Sequence, residues 1–388
     1  MADFHDYLRW RGDLDFSQSP FNEVDAGIFA MLSYLKMRSI VPGCESKVKI
    51  SIKELAARFF THYPAAEEKP TLGSIISSVT VTTPPFEERL ARLLGELSTC
   101  PRFENVQVSR FAEDTDSVVG RQFAAVTFTL PTRRRENVVA FRGTDDTLVG
   151  WKEDFGWFYL EEIPAQVSAC RYLELAIRKM RAPFYVCGHS KGGNLAVYAS
   201  THIRPRHQRR IVKILNFDGP GFDFSVVDRE PFAFAESRIV NFVPEESIAG
   251  MLFEPVGSRK VVSSSVPISS QHNAFNWNLE GAGFVEGELA DIASLLDHTV
   301  TAWLSGLSRE ERKSFLEALF SLVDAYDETT TVSDPVKNLR DIKTILDRYS
   351  QLDQETKALV GQVLESLTEQ TKRTMSSSIK LRLPGKAV

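Results

Sequence analysis

A serine with glycines two residues away on either side, in Gly188-His189-Ser190-Lys191-Gly192, is the strongest chemical signal in the sequence. The short apolar run Tyr185-Val186-Cys187 precedes it and the small residues Gly193-Asn194 follow, so the serine falls between a strand and a helix. Such a turn presses backbone against backbone, and glycine at both flanks removes the clash a side chain would bring. The helix beginning just after it points its positive end at the serine, where negative charge develops in acyl transfer. Strand, G-x-S-x-G and helix together read as a nucleophile elbow with Ser190 as nucleophile. The five residues alone also fit an inert serine in a glycine-rich turn; the flanking elements favour the elbow.

A serine hydroxyl attacks only when a base takes its proton. His202, His207, His272 and His298 follow Ser190 in the chain. The first two belong to the helix after the elbow and its basic end, and His298 sits inside a predicted helix. His272 lies in the polar segment Ser269-Ser270-Gln271-His272-Asn273, after the last predicted strand, and is the preferred base. The chain order serine, acid, histidine puts the acid between Ser190 and His272. Glu246, in Val243-Pro244-Glu245-Glu246-Ser247, ranks first, Asp218 before Gly219-Pro220-Gly221 second, and Glu245 third. Asp218 reads equally as a structural turn aspartate. For the oxyanion, the N–H of Lys191 is one donor and Thr144, in Phe141-Arg142-Gly143-Thr144, offers its N–H and its hydroxyl as the other. Asp154 fits either a brace for that loop or a surface helix start.

The elements that must hold these residues follow from periodicity. Residues 21–38 carry Val24, Ile28, Met31, Leu32 and Leu35 at helical spacing. Ser51-Ile52-Lys53-Glu54 has the form of a capping box, and Thr83-Pro84-Pro85 begins a further helix to about Thr99. Strands are predicted at 106–111, 122–130, 137–141, 184–187, 211–217, 237–242 and 260–263, with helices at 165–180 and 192–202 between them. Several of these strands are apolar on both faces, which indicates a mostly parallel sheet covered on both sides. From about Gly287 the chain reads as helical again, with a second capping box at Ser308-Arg309-Glu310-Glu311 and a last helix marked by Leu359, Val363, Leu364 and Leu367. The expected organisation is one α/β unit over 1–373: a mainly helical part to residue 100, a sheet core at 101–280, and helices at 285–373. A disordered tail is expected from 374 to 388.

The composition sets limits. The 388 residues are 43% hydrophobic and 25% charged, enough for a large core. A net charge of −5 carries no footprint for nucleic acid, and the basic clusters Arg133-Arg134-Arg135 and Arg204 to Arg210 read as solvated surface. Four scattered cysteines without metal-like spacing suggest a reducing compartment. No apolar run is long enough to cross a membrane, and the acidic start lacks the pattern of a signal peptide, so a cytoplasmic location is expected. No cofactor or metal is expected.

Several of these segments together resemble the class 3, fungal-type lipases: Phe141-Arg142-Gly143-Thr144, Trp151 and Asp154, the elbow through Gly193, and Arg238-Ile239-Val240-Asn241 before an acid. The likeness is closer to a bacterial lipase-like group, the Mbeg-like family. It runs through Tyr7-Leu8-Arg9-Trp10-Arg11-Gly12-Asp13, Pro20-Phe21-Asn22-Glu23-Val24-Asp25, Gly150-Trp151-Lys152-Glu153-Asp154-Phe155, Asp218-Gly219-Pro220-Gly221-Phe222 and Ser247-Ile248-Ala249-Gly250-Met251-Leu252, and spans about residues 4–320. The resemblance implies an α/β-hydrolase fold with Ser190 as nucleophile, His272 as base, and Thr144 with Lys191 as oxyanion donors. Lipases of this type use aspartate as the acid, whereas the nearest alignable position here holds Glu246.

The activity expected from this set is hydrolysis of a small-molecule or lipid acyl ester through an acyl-enzyme on Ser190. Thioester or amide hydrolysis, or acyl transfer, would use the same residues. A different class is a silent scaffold whose helical ends bind a partner. Met251-Leu252-Phe253 reads as an acyl-pocket wall or lid, or as a packing segment.

Overall fold

Near the N-terminus, Asp3 and Asp6 cap each other's backbone N–H groups and start a helix, α1 (Phe4–Arg11). The sequence reading did not include it. A second reciprocal pair, Asn22 with Asp25, starts α2 (Glu23–Leu32), which ends sooner than its apolar spacing suggested because Tyr34 and Leu35 tighten into i→i+3 turns. Ser51 caps α3 (Ile52–His62) by accepting from the Glu54 N–H, while the Glu54 carboxylate turns outward to Arg58. Helix α4 spans Phe86–Ser98 behind Pro85. The computed structural model describes residues 2–64, 85–145, 148–290, 293 and 306–321, with a few single positions beyond. His298 with its predicted helix, the predicted helices beyond Ser321 and the tail from 374 lie outside the described residues.

Eight strands form one sheet in strict chain order. They are β1 (Ile50–Ser51), β2 (Gln107–Asp116), β3 (Arg121–Thr129), β4 (Asn137–Phe141), β5 (Phe184–His189), β6 (Ile211–Phe217), β7 (Ile239–Pro244) and β8 (Ser258–Val262). Pairings from β1 through β4 are antiparallel and those from β4 through β8 are parallel. The predicted strand at 106–111 continues to Asp116 past a register break, where Arg110 adopts a positive φ of 57°.

Alternation along the strands builds two cores. In β4, Val138 and Ala140 face the N-terminal helices, and Val139 and Phe141 face the opposite side. In β5, Cys187 joins the first core and Phe184 and Val186 the second. The first core collects α1 to α4; the second collects α6 (Pro164–Lys179) and α7 (Lys191–His202). Helices thus cover both faces of a sheet whose central strands are largely buried on both faces, which is the α/β class. No described helix is long and apolar enough to cross a membrane.

Parallel register sets the geography of the site. Phe141 lies beside Gly188, His189 beside Phe217, and Phe217 beside Phe242. The segments leaving the C-terminal ends of β4, β5 and β6 therefore emerge together, where open parallel sheets carry ligands.

Candidate active site

Ser190 joins β5 to α7 with φ 58° and ψ −133°, a conformation that costs a non-glycine residue ~1–3 kcal/mol. The neighbours impose it. A methyl group on Gly188 would lie 2.1 Å from the Gly192 carbonyl oxygen, and one on Gly192 would lie 2.1 Å from the Phe141 carbonyl oxygen. The Ser190 N–H donates to Phe217 at 2.9 Å, and the Ser190 carbonyl accepts from Gly193 at 2.8 Å. The serine is thereby held at the N-terminus of a helix whose first residue is Lys191. As the first residue of that helix, Lys191 has an N–H that precedes the helical hydrogen-bond ladder.

Of the three candidate acids, the structure places the second-ranked one, Asp218, against His272. The carboxylate against His272 is Asp218, with Nδ1 to Oδ2 at 2.6 Å, and not Glu246 or Glu245. Asp218 follows β6 with a positive φ of 52°, which swings its fully buried carboxylate toward His272. Its other oxygen accepts from the Ser247 hydroxyl and from the Gly250 N–H at 3.2 Å. Glu246 instead accepts from the Gln271 amide at 2.8 Å, and Glu245 accepts from the Ser264 N–H at 3.2 Å. With Nδ1–H donating to Asp218, the His272 Nε2 carries the lone pair. The His272 ring is 43% exposed, so that nitrogen faces an open site.

His272 is also held through its backbone. Its carbonyl accepts from His189 Nε2 at 2.6 Å, which fixes the His189 tautomer, and His189 Nδ1 then accepts from the Tyr34 hydroxyl at 2.9 Å. Burial, reinforced by the neighbouring His272, pushes His189 down to about 3, so it stays a neutral strut. Sequence reading missed His189 and Tyr34. The signal for His189 was its place inside the elbow; nothing in the spacing pointed to Tyr34.

On the other side of Ser190, Thr144 follows β4. Its hydroxyl donates to Asp154, which fixes the hydroxyl's orientation. Asp154 lies at the end of α5 (Leu148–Phe155) and is mostly buried, which removes the surface-helix reading. Burial pushes its carboxyl up to about 6, against the pull of Lys191. The Lys191 ammonium is wholly buried, 2.9 Å from Glu153 and 3.3 Å from Asp154. Burial works against its charge, yet the two carboxylates hold it above its ordinary value. Glu153 and Gln122 also escaped the sequence reading. The available signal was a lysine in a helix whose residues 191–201 are otherwise small, apolar or amide, all of them buried.

Ser190, His272 and Thr144 line one cavity of about 460 Å³. Its apolar wall includes Phe155, Trp157, Phe158, Ile248 and Leu252. Of the predicted Met251-Leu252-Phe253 segment, Leu252 faces the cavity and Met251 is buried in packing. Behind this wall, Phe315, Leu316 and Ala318 of α8 (Arg309–Ser321) pack with Phe155 and Phe158. Arg312 pins that helix to Asp223 at 2.7 Å.

The molecule is thus an α/β protein with a strained serine at a helix N-terminus and, lining the same cavity, an imidazole backed by a buried carboxylate. The chain belongs to the Mbeg1-like family, whose model matches residues 97–321. Among solved structures it is similar to the crystal structure of M37 lipase, at 15% identity and a TM-score of 0.32. That match covers 45% of this chain and 66% of the lipase, so the chain spans just under two thirds of that protein's length. No curated protein sequence matches it.

Proposed function

We propose that the protein is a serine hydrolase of the α/β-hydrolase type that cleaves carboxylic esters through an acyl-enzyme on Ser190. The observation that carries this reading is that His272, which lines one cavity with Ser190, stands with Nδ1 2.6 Å from the buried Asp218 carboxylate. In this reading His272 Nε2 takes the Ser190 proton as Oγ attacks the ester carbonyl carbon. Asp218 stabilises the imidazolium that forms. The carbonyl oxygen, now an oxyanion, accepts from the N–H groups of Lys191 and Thr144. His272 returns the proton to the leaving alcohol. Water then repeats the sequence on the acyl-enzyme and releases the acid.

The wall of Phe155, Trp157, Phe158, Ile248 and Leu252 suits an uncharged acyl chain, since a charged one would lose its hydration without a partner there. The reading is tested with p-nitrophenyl esters of increasing acyl length. Turnover by the wild type that disappears in Ser190→Ala supports it. Turnover that survives Ser190→Ala overturns it.

A further inference from the structure

We propose that Lys191 is a positioning residue as well as an oxyanion donor: its buried ammonium ties together the two segments whose N–H groups would hold the oxyanion. The inference rests on the serine-hydrolase reading above and extends it to a side chain that takes no part in the proton transfers.

Three contacts define the tie. Lys191 Nζ donates to Glu153 Oε2 at 2.9 Å and to Gln122 Oε1 at 3.2 Å, and it pairs with Asp154 Oδ1 at 3.3 Å. Each partner reaches further. The other Asp154 oxygen accepts the Thr144 hydroxyl, and Gln122 Oε1 also accepts the Asp145 N–H at 3.3 Å. Glu153 accepts from the Gln122 N–H at 3.0 Å and, with its second oxygen, from the Ala165 N–H at 2.8 Å. One ammonium therefore connects the start of β3, the end of α5, the start of α6 and both residues of the Thr144-Asp145 step. The backbone of the same lysine carries the first oxyanion donor.

The packing leaves this loop little freedom. A methyl group on Gly143 would lie 2.0 Å from the Tyr34 hydroxyl and 3.0 Å from Ser190 Cβ. One on Gly150 would lie 2.6 Å from both Gln122 Oε1 and Thr144 Cγ2. The loop is pressed against the serine from one side and held by the ammonium network from the other.

The energetics favour a positioning role over a stabilising one. Burying a cation with two carboxylates costs desolvation that their attraction does little more than return, and an apolar residue of similar size packs as well without that cost. What the charged network adds is geometry. Oxyanion donors act by being aimed before the charge appears, and a donor that must reorient loses most of its effect.

The test compares the full-length wild type with Lys191→Met, Lys191→Arg and the charge-balanced pair Lys191→Met/Glu153→Gln. Three quantities are read on each: kcat and KM for a p-nitrophenyl ester, and the affinity of a trifluoromethyl ketone. The ketone carbon takes Ser190 Oγ, His272 takes the proton, and the ketone oxygen becomes an oxyanion in the donor site. Lys191→Met is expected to lower kcat by about a hundredfold, the size of losing one aimed donor, with ketone affinity falling in parallel and KM nearly unchanged. Lys191→Arg is expected to recover part of both. If Lys191→Met does not fold, the charge-balanced pair carries the test, since it removes the tie while leaving one fewer carboxylate without a partner. A folded variant lacking the ammonium that keeps wild-type kcat and ketone affinity overturns the assignment. So does a loss that tracks only the folded fraction, with the ratio of ketone to substrate binding unchanged. If the wild type takes neither the ketone nor a fluorophosphonate at Ser190, the hydrolase reading itself fails, an outcome separate from a failure of Lys191 alone.

Discussion

The two flanks of Ser190 are built differently. On one flank His272 is 43% exposed, stands on a loop after a short helical turn, and is held by one carboxylate and one backbone contact. On the other flank the Lys191 and Glu153 side chains have no exposure at all, and their hydrogen bonds reach into three elements. The proposed chemistry accounts for the difference. The imidazole must accept a proton, turn toward a leaving group and meet water, so it needs access. The oxyanion donors must not move, so the network behind them is sealed. Behind the imidazole, Asp218 and the His189 strut are buried and set its angle.

The largest effect that would sharpen this contrast is Asp218→Asn. It leaves the size of the side chain but inverts the tautomer of His272, and kcat should fall about ten-thousandfold with KM little changed. Retained activity would break the contrast, because the imidazole flank would then have no anchor. Next in size, Leu252→Trp narrows the apolar wall. The ratio of long-chain to short-chain ester turnover should drop about ten- to a hundredfold, as each lost methylene site is worth ~1–3 kcal/mol. An unchanged chain-length profile would show that acyl groups do not occupy this wall. Smaller still, Glu246→Gln should change kcat by less than about threefold, the scale of a substitution outside the catalytic contacts.

The last prediction concerns stability and pH. His189 is held near 3 in the folded protein against an ordinary value of 6.5, so the unfolded chain binds a proton that the folded one refuses. Its contribution to stability is present above about pH 6.5 and is lost as the pH falls toward 3. His189→Gln keeps a donor for the His272 carbonyl but cannot titrate. Urea denaturation at pH 7 and pH 4 should show the wild type losing more stability than the variant. Equal losses would mean that His189, between Tyr34 and His272, is not the buried neutral strut described here.

How much of this was legible in the sequence depends on range. The α/β class could be read from apolar strands alternating with helices, because alternation and helical spacing are local properties. Ser190, Thr144 and His272 could each be placed: Ser190 and Thr144 each follow a strand within a few residues, and His272 stands out by its polar segment after the last predicted strand. The acid could not. Asp218 and Glu246 both follow strands, and both are carboxylates at a plausible distance along the chain. What separates them is a positive φ at Asp218 and a glutamine, Gln271, that occupies Glu246. Neither shows before the chain is folded. The ammonium network was hidden for another reason. Gln122, Glu153 and Lys191 lie in three separate elements, and a charged residue in a sequence reads first as surface. Helix α1 was missed because its cap is made of two aspartates, which read as no more than an acidic start.

The central claim is that Ser190 is an acyl nucleophile driven by the Asp218–His272 pair. The most direct measurement is labelling with a fluorophosphonate, followed by mapping of the modified peptide. The account predicts that the wild type carries one label, on Ser190. It predicts no label on Ser190→Ala, much slower labelling of Asp218→Asn, and a wild-type rate for Glu246→Gln. A folded wild type that does not label, a label mapped to another residue, or an Asp218→Asn variant that labels as fast as the wild type would contradict it.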